Sequence, residues 1–139
     1  MFRLVKFLGG RTNEAERRKI TVTALEEDIE SGTPLIVMEN EAMPISLMTT
    51  YLPTHLLEAD AKAGDTELTV SEILPGMVFE TTLVAPVAST PMLYGEYPVN
   101  ANKLHGGSLV SIDVRGALCY DPMGAKKAGD KILVTFPSM

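Results

Sequence analysis

The chain has 139 residues, of which 45% are hydrophobic, and this suits one domain with a single core. Its net charge of −6 is unevenly distributed, since residues 1–19 carry +4 and residues 20–139 carry −10. An acidic body excludes broad contact with a nucleic-acid backbone. We therefore expect a basic N-terminal arm over 1–19, a single β-rich domain over 20–139, and no nucleic-acid partner.

The sequence favours neither a disulfide-stabilised nor a membrane protein. Its single cysteine, Cys119, has no partner for an internal disulfide and suits a small buried position. No run of 18 apolar residues is present, as a membrane-spanning helix requires, and residues 1–8 are too short and too charged for a signal peptide. We expect synthesis in the cytoplasm and no membrane partner.

The first residues alternate apolar and basic side chains until Gly9-Gly10 interrupts them. Residues 2–8 fit either an extended arm, which the glycine pair would let move by itself, or the first strand of the domain. Asn13 and Glu16 have the spacing of a capping box, which predicts at most a turn or two of helix over 14–18.

Short runs of alternating or β-branched residues follow, separated by turn residues at intervals of roughly ten positions. The predicted strands are 20–25, 35–38, 44–48, 66–70, 77–84, 108–114, 117–120 and 131–136, with 93–97 as an edge strand or a loop. This spacing is typical of sandwiches and small barrels. We predict an all-β fold, a small β-sandwich or barrel-like domain with an extended N-terminal arm and at most one or two short helices.

Residues 53–63 are the most ambiguous segment. Pro53 and Gly64 would frame a helix over 54–63, because proline suits a first helical turn and glycine a helix end. The alternative is a hairpin, with a strand over 54–59 whose partner is 66–70. The alternation of Thr66-Glu67-Leu68-Thr69-Val70 favours the hairpin.

No pattern of catalytic or ligand-binding residues is present in the sequence. His55 and His105 have no metal-ligand spacing, and a structural role is expected for each. The acidic runs 26–28 and 39–41 differ from a calcium-binding loop and are expected to be solvated turns. We predict that the protein is not an enzyme, has no catalytic residue, and binds no metal or cofactor.

Two further patterns carry structural expectations. Ala63-Gly64-Asp65 and Ala128-Gly129-Asp130 each predict a tight turn that leads into a strand. A second pair of similar triplets, Thr33-Pro34-Leu35 and Thr90-Pro91-Met92, is separated by a different number of residues from the Ala-Gly-Asp pair. The unequal separations favour coincidence over an internal duplication.

Parts of the chain resemble structural proteins of tailed bacteriophages. Residues 56–70, followed by Pro75-Gly76-Met77-Val78-Phe79, resemble a recurrent hairpin and strand of those proteins. Residues 20–37, with their Ser-Gly-Thr-Pro-Leu turn, and residues 90–93 resemble head decoration proteins. The resemblance covers about half of the chain. It implies a small β-rich protein that sits, often as a trimer, on the capsid exterior.

From this resemblance we expect a structural virion protein that binds the major capsid protein, cements neighbouring capsomers and forms a homo-oligomer, a trimer. The expected capsid-binding arm, which would add to the edge of a shell protein's sheet, consists of Phe2, Arg3, Leu4, Val5, Lys6, Phe7, Leu8 and Arg11.

Two alternative functions remain open. One is another virion part, such as a head-to-tail connector or tail component. The other is a β-barrel module that binds a small ligand or carbohydrate, with Tyr94 and Tyr97 in its pocket. These tyrosines would otherwise contact a partner or cap the core.

Overall fold

The structure, a computed structural model, consists of two antiparallel β-sheets and shows no helix in the residues that it describes. These residues are 1–7, 16–45, 53–83, 96–100, 103–104, 116–119 and 129–136. The two sheets pack as a sandwich-like domain, so the prediction of an all-β fold with a small β-sandwich is confirmed.

Eleven short strands make up the described part of the two sheets. They are β1 (Arg3–Phe7), β2 (Arg17–Thr21), β3 (Pro34–Met38), β4 (Glu41–Pro44), β5 (His55–Leu57), β6 (Glu67–Glu72), β7 (Met77–Thr82), β8 (Glu96–Asn100), β9 (Lys103–Leu104), β10 (Gly116–Cys119) and β11 (Lys131–Thr135). The predicted strand over 108–114 lies outside the described residues.

The order of strands places the N-terminal part of the chain at the edges of both sheets. The six-stranded sheet has the order β1-β7-β11-β10-β8-β9, and the five-stranded sheet has the order β2-β6-β5-β3-β4. The first two strands in sequence therefore belong to different sheets, and each is an edge strand.

The main core joins the two sheets. Ile36 and Leu56 of the five-stranded sheet belong to the same buried cluster as Phe79, Ile132 and Val134 of the six-stranded sheet. In β7 and β11, alternate residues supply this cluster, as the two-residue period of a strand requires. The five-stranded sheet thus presents one apolar face to the other sheet.

A second core covers the opposite face of the five-stranded sheet. Leu35, Leu68 and Val70 of the sheet pack there against Leu25 and Ile29 of the segment that follows β2. A bridge between Ile29 and Ala61 holds this segment against the connection between β5 and β6. The strands β3 and β5 are therefore largely buried on both faces, which explains their nearly continuous apolar runs.

Residues 53–63 adopt the predicted hairpin arrangement and not the helix. His55, Leu56 and Leu57 pair with Glu72, Ser71 and Val70. The strand is shorter than predicted, because residues 58–66 form a longer connection that reaches across to the segment after β2. Long-range pairing with that segment decides where the strand ends.

The turn between β3 and β4 has two central residues with positive φ, Glu39 at 49° and Asn40 at 69°. Two such residues are typical of a type I′ hairpin turn, whose twist matches that of the flanking strands. The turn brings Met38 opposite Glu41, so β4 begins three residues earlier than predicted. Residues 46–48, the rest of that predicted strand, lie outside the described residues.

The prediction of a short helix over 14–18 is wrong for Arg17 and Arg18, which belong to β2. This strand pairs with β6 from Arg17 opposite Ser71 to Thr21 opposite Glu67. The sequence of β2 lacks the alternating apolar residues that predict a strand, because its cations are exposed. An edge strand needs little apolar surface. The predicted strand over 20–25 therefore begins earlier and ends at Thr21.

The two Ala-Gly-Asp words form similar turns at the start of β6 and β11. Gly64 and Gly129 both have φ of 92°, a value that glycine adopts without strain. The N–H of Gly64 donates to the carbonyl of Leu25, and that of Gly129 donates to the carbonyl of Leu83. The predicted turns at Gly64 and Gly129, each leading into a strand, are confirmed.

Candidate interaction edge

The structure places most of the predicted arm in a strand of the sandwich. Phe2 is 1% exposed, and residues 3–7 form β1, which pairs with β7. Of the two interpretations of this segment, the first strand of the domain is the one observed for residues 3–7. Leu8 and Arg11 lie outside the described residues. β2 also crosses the predicted boundary between residues 19 and 20.

β1 carries an irregularity at its centre. Leu4 pairs with Phe79 and Lys6 with Val78, so Val5 is an extra residue without an opposite partner on β7. An extra residue of this kind is a β-bulge, which bends an edge strand and increases its twist. Bulges and cations on an edge strand both discourage indiscriminate pairing between sheets.

Arg3 extends from β1 to an acidic group on the neighbouring strand. Its Nη2 lies 2.9 Å from Oε1 of Glu80, and Nζ of Lys131 lies 3.6 Å from the same oxygen. The hydrogen bond from Arg3 lowers the pKa of Glu80 below its ordinary value, and the charge of Lys131 acts in the same direction. Arg3 nevertheless keeps 64% of its side chain exposed, so it remains accessible to a partner.

A groove of about 640 Å³ lies beside β1. Residues 1–4 line one side of it, and Arg17 of β2 and residues 56–58 line another. The N–H of Phe2 donates to the carbonyl of Gly32, which fixes the start of β1 against the five-stranded sheet. Both edge strands therefore contribute to one recess.

The charged groups of this groove are held by specific contacts. Nε of Arg17 lies 3.2 Å from Oε2 of Glu58, whose other carboxylate oxygen accepts a hydrogen bond of 2.7 Å from the hydroxyl of Ser71. Glu58 is only 14% exposed, whereas Arg17 is 67% exposed. The carboxylate thus lies deeper in the groove, and the guanidinium lies at its rim.

A second polar cluster, around His55, connects the edge strand β2 with the central strand β5 of the five-stranded sheet. Nη2 of Arg18 lies 3.2 Å from Nε2 of His55, and Nδ1 of His55 lies 2.8 Å from Oγ1 of Thr54. Since a guanidinium only donates, Nε2 accepts and Nδ1 carries the proton of a neutral ring. The hydroxyl of Thr54 then donates to the carbonyl of Leu35, at 3.4 Å.

The surroundings of His55 favour this neutral form. Burial lowers the pKa of His55 below its ordinary value, and the charge of Arg18 lowers it further, while Glu72 opposes both effects. The ring thus links β5 to Arg18 of β2 through hydrogen bonds, in agreement with the predicted structural role of His55. His105 lies outside the described residues.

Within the part of the chain that the structure describes, no group of three or more His, Cys, Asp or Glu side chains is placed to hold a metal ion. The acidic residues 26–28, 39 and 41 are exposed, as expected for solvated turns. β10 includes Cys119, but its side chain is outside the description. The chemistry that the described residues offer is charge and main-chain hydrogen bonding.

No protein-family model matches this chain, and no curated protein matches it. Of the described residues, none belongs to a helix with the length and hydropathy needed to cross a membrane.

Of the two tyrosines predicted to contact a partner or a ligand, the structure describes only the backbone of one. Tyr94 lies outside the described residues. Tyr97 is in β8, where its backbone pairs with Ala117. β8 lies between β10 and β9, so it is one strand away from the edge of its sheet.

Sequence reasoning missed two surface features. The Arg18 contact with His55 joins residues 37 positions apart. They come together only because β6 pairs with β2 on one side and with β5 on the other. Met38 and Met43, each 46% exposed, lie on the β3–β4 hairpin, with Met38 next to the turn. The turn residues Glu39 and Asn40 were the local sequence signal that Met38 ends its strand at a turn.

Proposed function

We infer that this chain is a structural virion protein that binds the outside of a phage capsid and cements neighbouring capsomers. The observation that carries this proposal is the position of β1 at the edge of its sheet, with a groove beside it. An edge strand offers main-chain N–H and C=O groups to which an extended segment of a partner adds as a further strand. The partner in this proposal is the major capsid protein, which the sequence resemblance implies.

The charge of the edge favours an acidic partner segment. Arg3 and Arg17 lie on the edge strands of the two sheets, line the same groove and are mostly exposed. Because both guanidinium groups are mostly exposed, they bind a partner carboxylate from the solvent side while keeping their contacts with Glu80 and Glu58. The Val5 bulge discourages indiscriminate strand pairing along β1. The cations favour an acidic partner strand over a neutral or basic one.

The test must leave β1 in place. Removing residues 1–12 would delete the buried Phe2 along with β1, and a loss of binding would then report unfolding. We therefore choose the double variant Arg3→Gln/Arg17→Gln, which keeps the strand and the core. Lys19→Gln/Lys62→Gln removes the same charge from exposed positions that do not line the groove.

The experiment is co-sedimentation of each variant with expanded capsids of the phage whose genome encodes the chain. The expected result is at least a tenfold weaker association for Arg3→Gln/Arg17→Gln, with the Lys19→Gln/Lys62→Gln control within about twofold of the natural chain. Absence of binding by the natural chain, or equal binding by both double variants, would overturn the proposal.

A second candidate function is suggested by the size of the groove. A volume of about 640 Å³ falls within the range of small-molecule sites. In that function Arg3 and Arg17 bind an anionic ligand such as an acidic sugar. A thermal shift with uronic acids, lost in the Arg3→Gln/Arg17→Gln variant, supports this module in place of the capsid role.

A further inference from the structure

Opposite edges of the five-stranded sheet carry opposite charges. β2 forms one edge and presents Arg17, Arg18 and Lys19, all exposed. β4 forms the other edge, about 19 Å away across four strand spacings. We call Arg17–Lys19 the basic edge.

The β4 side is acidic and partly apolar. Glu39 and Glu41 lie at the hairpin end, and Glu26 and Glu27 line a recess of about 210 Å³ together with β4. We call Met38–Met43 with Glu26 and Glu27 the acidic end. Among the described residues, no cation forms an ion pair with any of its four glutamates.

Met38 and Met43 add apolar surface to the acidic end. They lie on the same face as Ile36, because Ile36 is opposite Met43 and Met38 is two residues further along β3. Ile36 is buried between the sheets, whereas both methionines remain 46% exposed. The two exposed methionines, with Glu39 and Glu41 on the same hairpin, form a surface suited to the aliphatic stems and charged ends of Arg and Lys.

The cations of the basic edge are available for such a contact. Lys19 lies 3.5 Å from Glu67 in a pair exposed on both sides, which is worth little in water. Arg18 contacts the neutral ring of His55, so its charge is not neutralised by that partner. The basic edge therefore matches the acidic end in charge and in its row of long side chains.

We propose that the acidic end of one copy of this chain docks against the basic edge of a second copy. The contact uses two different surfaces, so it is head-to-tail, and repetition builds a closed ring or an open chain. Pro44 lacks an N–H and shortens the donor row of β4, so side-chain charge and methionine packing hold the contact. This association requires no capsid, and its test leaves Arg17, which also lines the β1 groove, unchanged.

The test uses one variant for each surface. Arg18→Gln/Lys19→Gln neutralises the basic edge, and Glu39→Gln/Glu41→Gln neutralises the acidic end. Lys62→Gln/Lys131→Gln and Glu30→Gln/Asp60→Asn are charge-matched controls outside the two surfaces. Far-ultraviolet circular dichroism and urea midpoints establish that each variant is folded.

The measurement is sedimentation velocity over a range of concentrations at low salt. The natural chain and both controls should associate, more weakly at 0.5 M salt, and each surface variant should show at least a tenfold weaker association. An equimolar mixture of the two surface variants should form dimers and nothing larger, since one intact contact remains. Monomeric natural chain, undiminished association of either variant, or a mixture that does not dimerise would overturn the proposal.

Discussion

Phe2 and Phe136 pack against each other with ring centroids 5.5 Å apart and ring planes inclined by 46°. Phe136 also meets Phe79 of β7 edge-on at 5.5 Å, so the three rings form one aromatic cluster between the sheets. The contact holds the segment before β1 against the segment after β11. The start of the chain is therefore anchored at Phe2, and residues 3–7 are held in a strand of the sandwich.

Replacing Phe2 by alanine should strongly destabilise the fold. The side chain is 1% exposed, and loss of a buried phenylalanine costs about 3–5 kcal/mol through lost transfer energy and the cavity left behind. Urea unfolding followed by circular dichroism measures the change. Arg3→Ala, one residue along on the exposed side, should cost less than about 1 kcal/mol. Similar losses for both variants would show that Phe2 does not anchor the strand.

Replacing Thr81 by valine should stabilise the protein. Thr81 is 2% exposed, and its hydroxyl oxygen has no hydrogen-bond partner. Valine has nearly the same shape without the buried polar group, so a gain of about 1 kcal/mol is expected. The neighbouring exposed Thr82 provides the control, and Thr82→Val should leave the melting temperature almost unchanged. A lower melting temperature for Thr81→Val would mean that the hydroxyl is satisfied.

Replacing Gly32 by alanine should cost more than the same change at Gly64. Both residues have positive φ, which costs an L-residue about 1–2 kcal/mol. At Gly32 the added carbon would lie 2.7 Å from Cβ of Met1, whereas at Gly64 no atom lies within 4 Å. Chemical denaturation should therefore show an additional loss of about 1 kcal/mol or more at Gly32. Equal losses would contradict the close seating of Met1 and Phe2 on this turn.

Stability should fall on mild acidification, partly through His55. The pKa of His55 is lowered in the fold, so the unfolded chain binds more protons as the pH falls below about 6.5. The stabilisation that neutral His55 contributes to the fold is complete above that pH. It decreases as the pH falls towards the lowered pKa of His55 in the folded protein. Urea midpoints between about pH 7.5 and 5.5 measure this slope. His55→Gln should reduce it, and an unchanged slope would exclude His55 as a source.

Local chemistry was enough to predict several elements. Alternation in Thr66-Glu67-Leu68-Thr69-Val70 predicted β6, and the apolar run 35–38 predicted β3, because each strand supplies buried residues at the expected period. The glycine of each Ala-Gly-Asp word predicted a turn that only positive φ permits. These signals depend on neighbours in the sequence, so they survive without knowledge of the rest of the fold.

Long-range pairing decided the elements that were misplaced. β2 carries exposed cations, and its strand conformation depends on β6, about 50 residues later in the sequence. β1 is a strand because β7 pairs with it and the core receives Phe2, although its sequence fits an arm equally well. The candidate interaction edge was therefore only partly predictable, as the cations were evident but their meeting in one groove was not.

The sequence by itself determined that this protein is an all-β domain with a basic beginning and an acidic body, because periodicity, turn residues and charge are local properties. Tertiary structure alone decided which strands became edges, since the choice of neighbour depends on burial from distant parts of the chain. It placed Arg3 and Arg17 beside one groove, and it separated the basic edge from the acidic end by the width of a sheet.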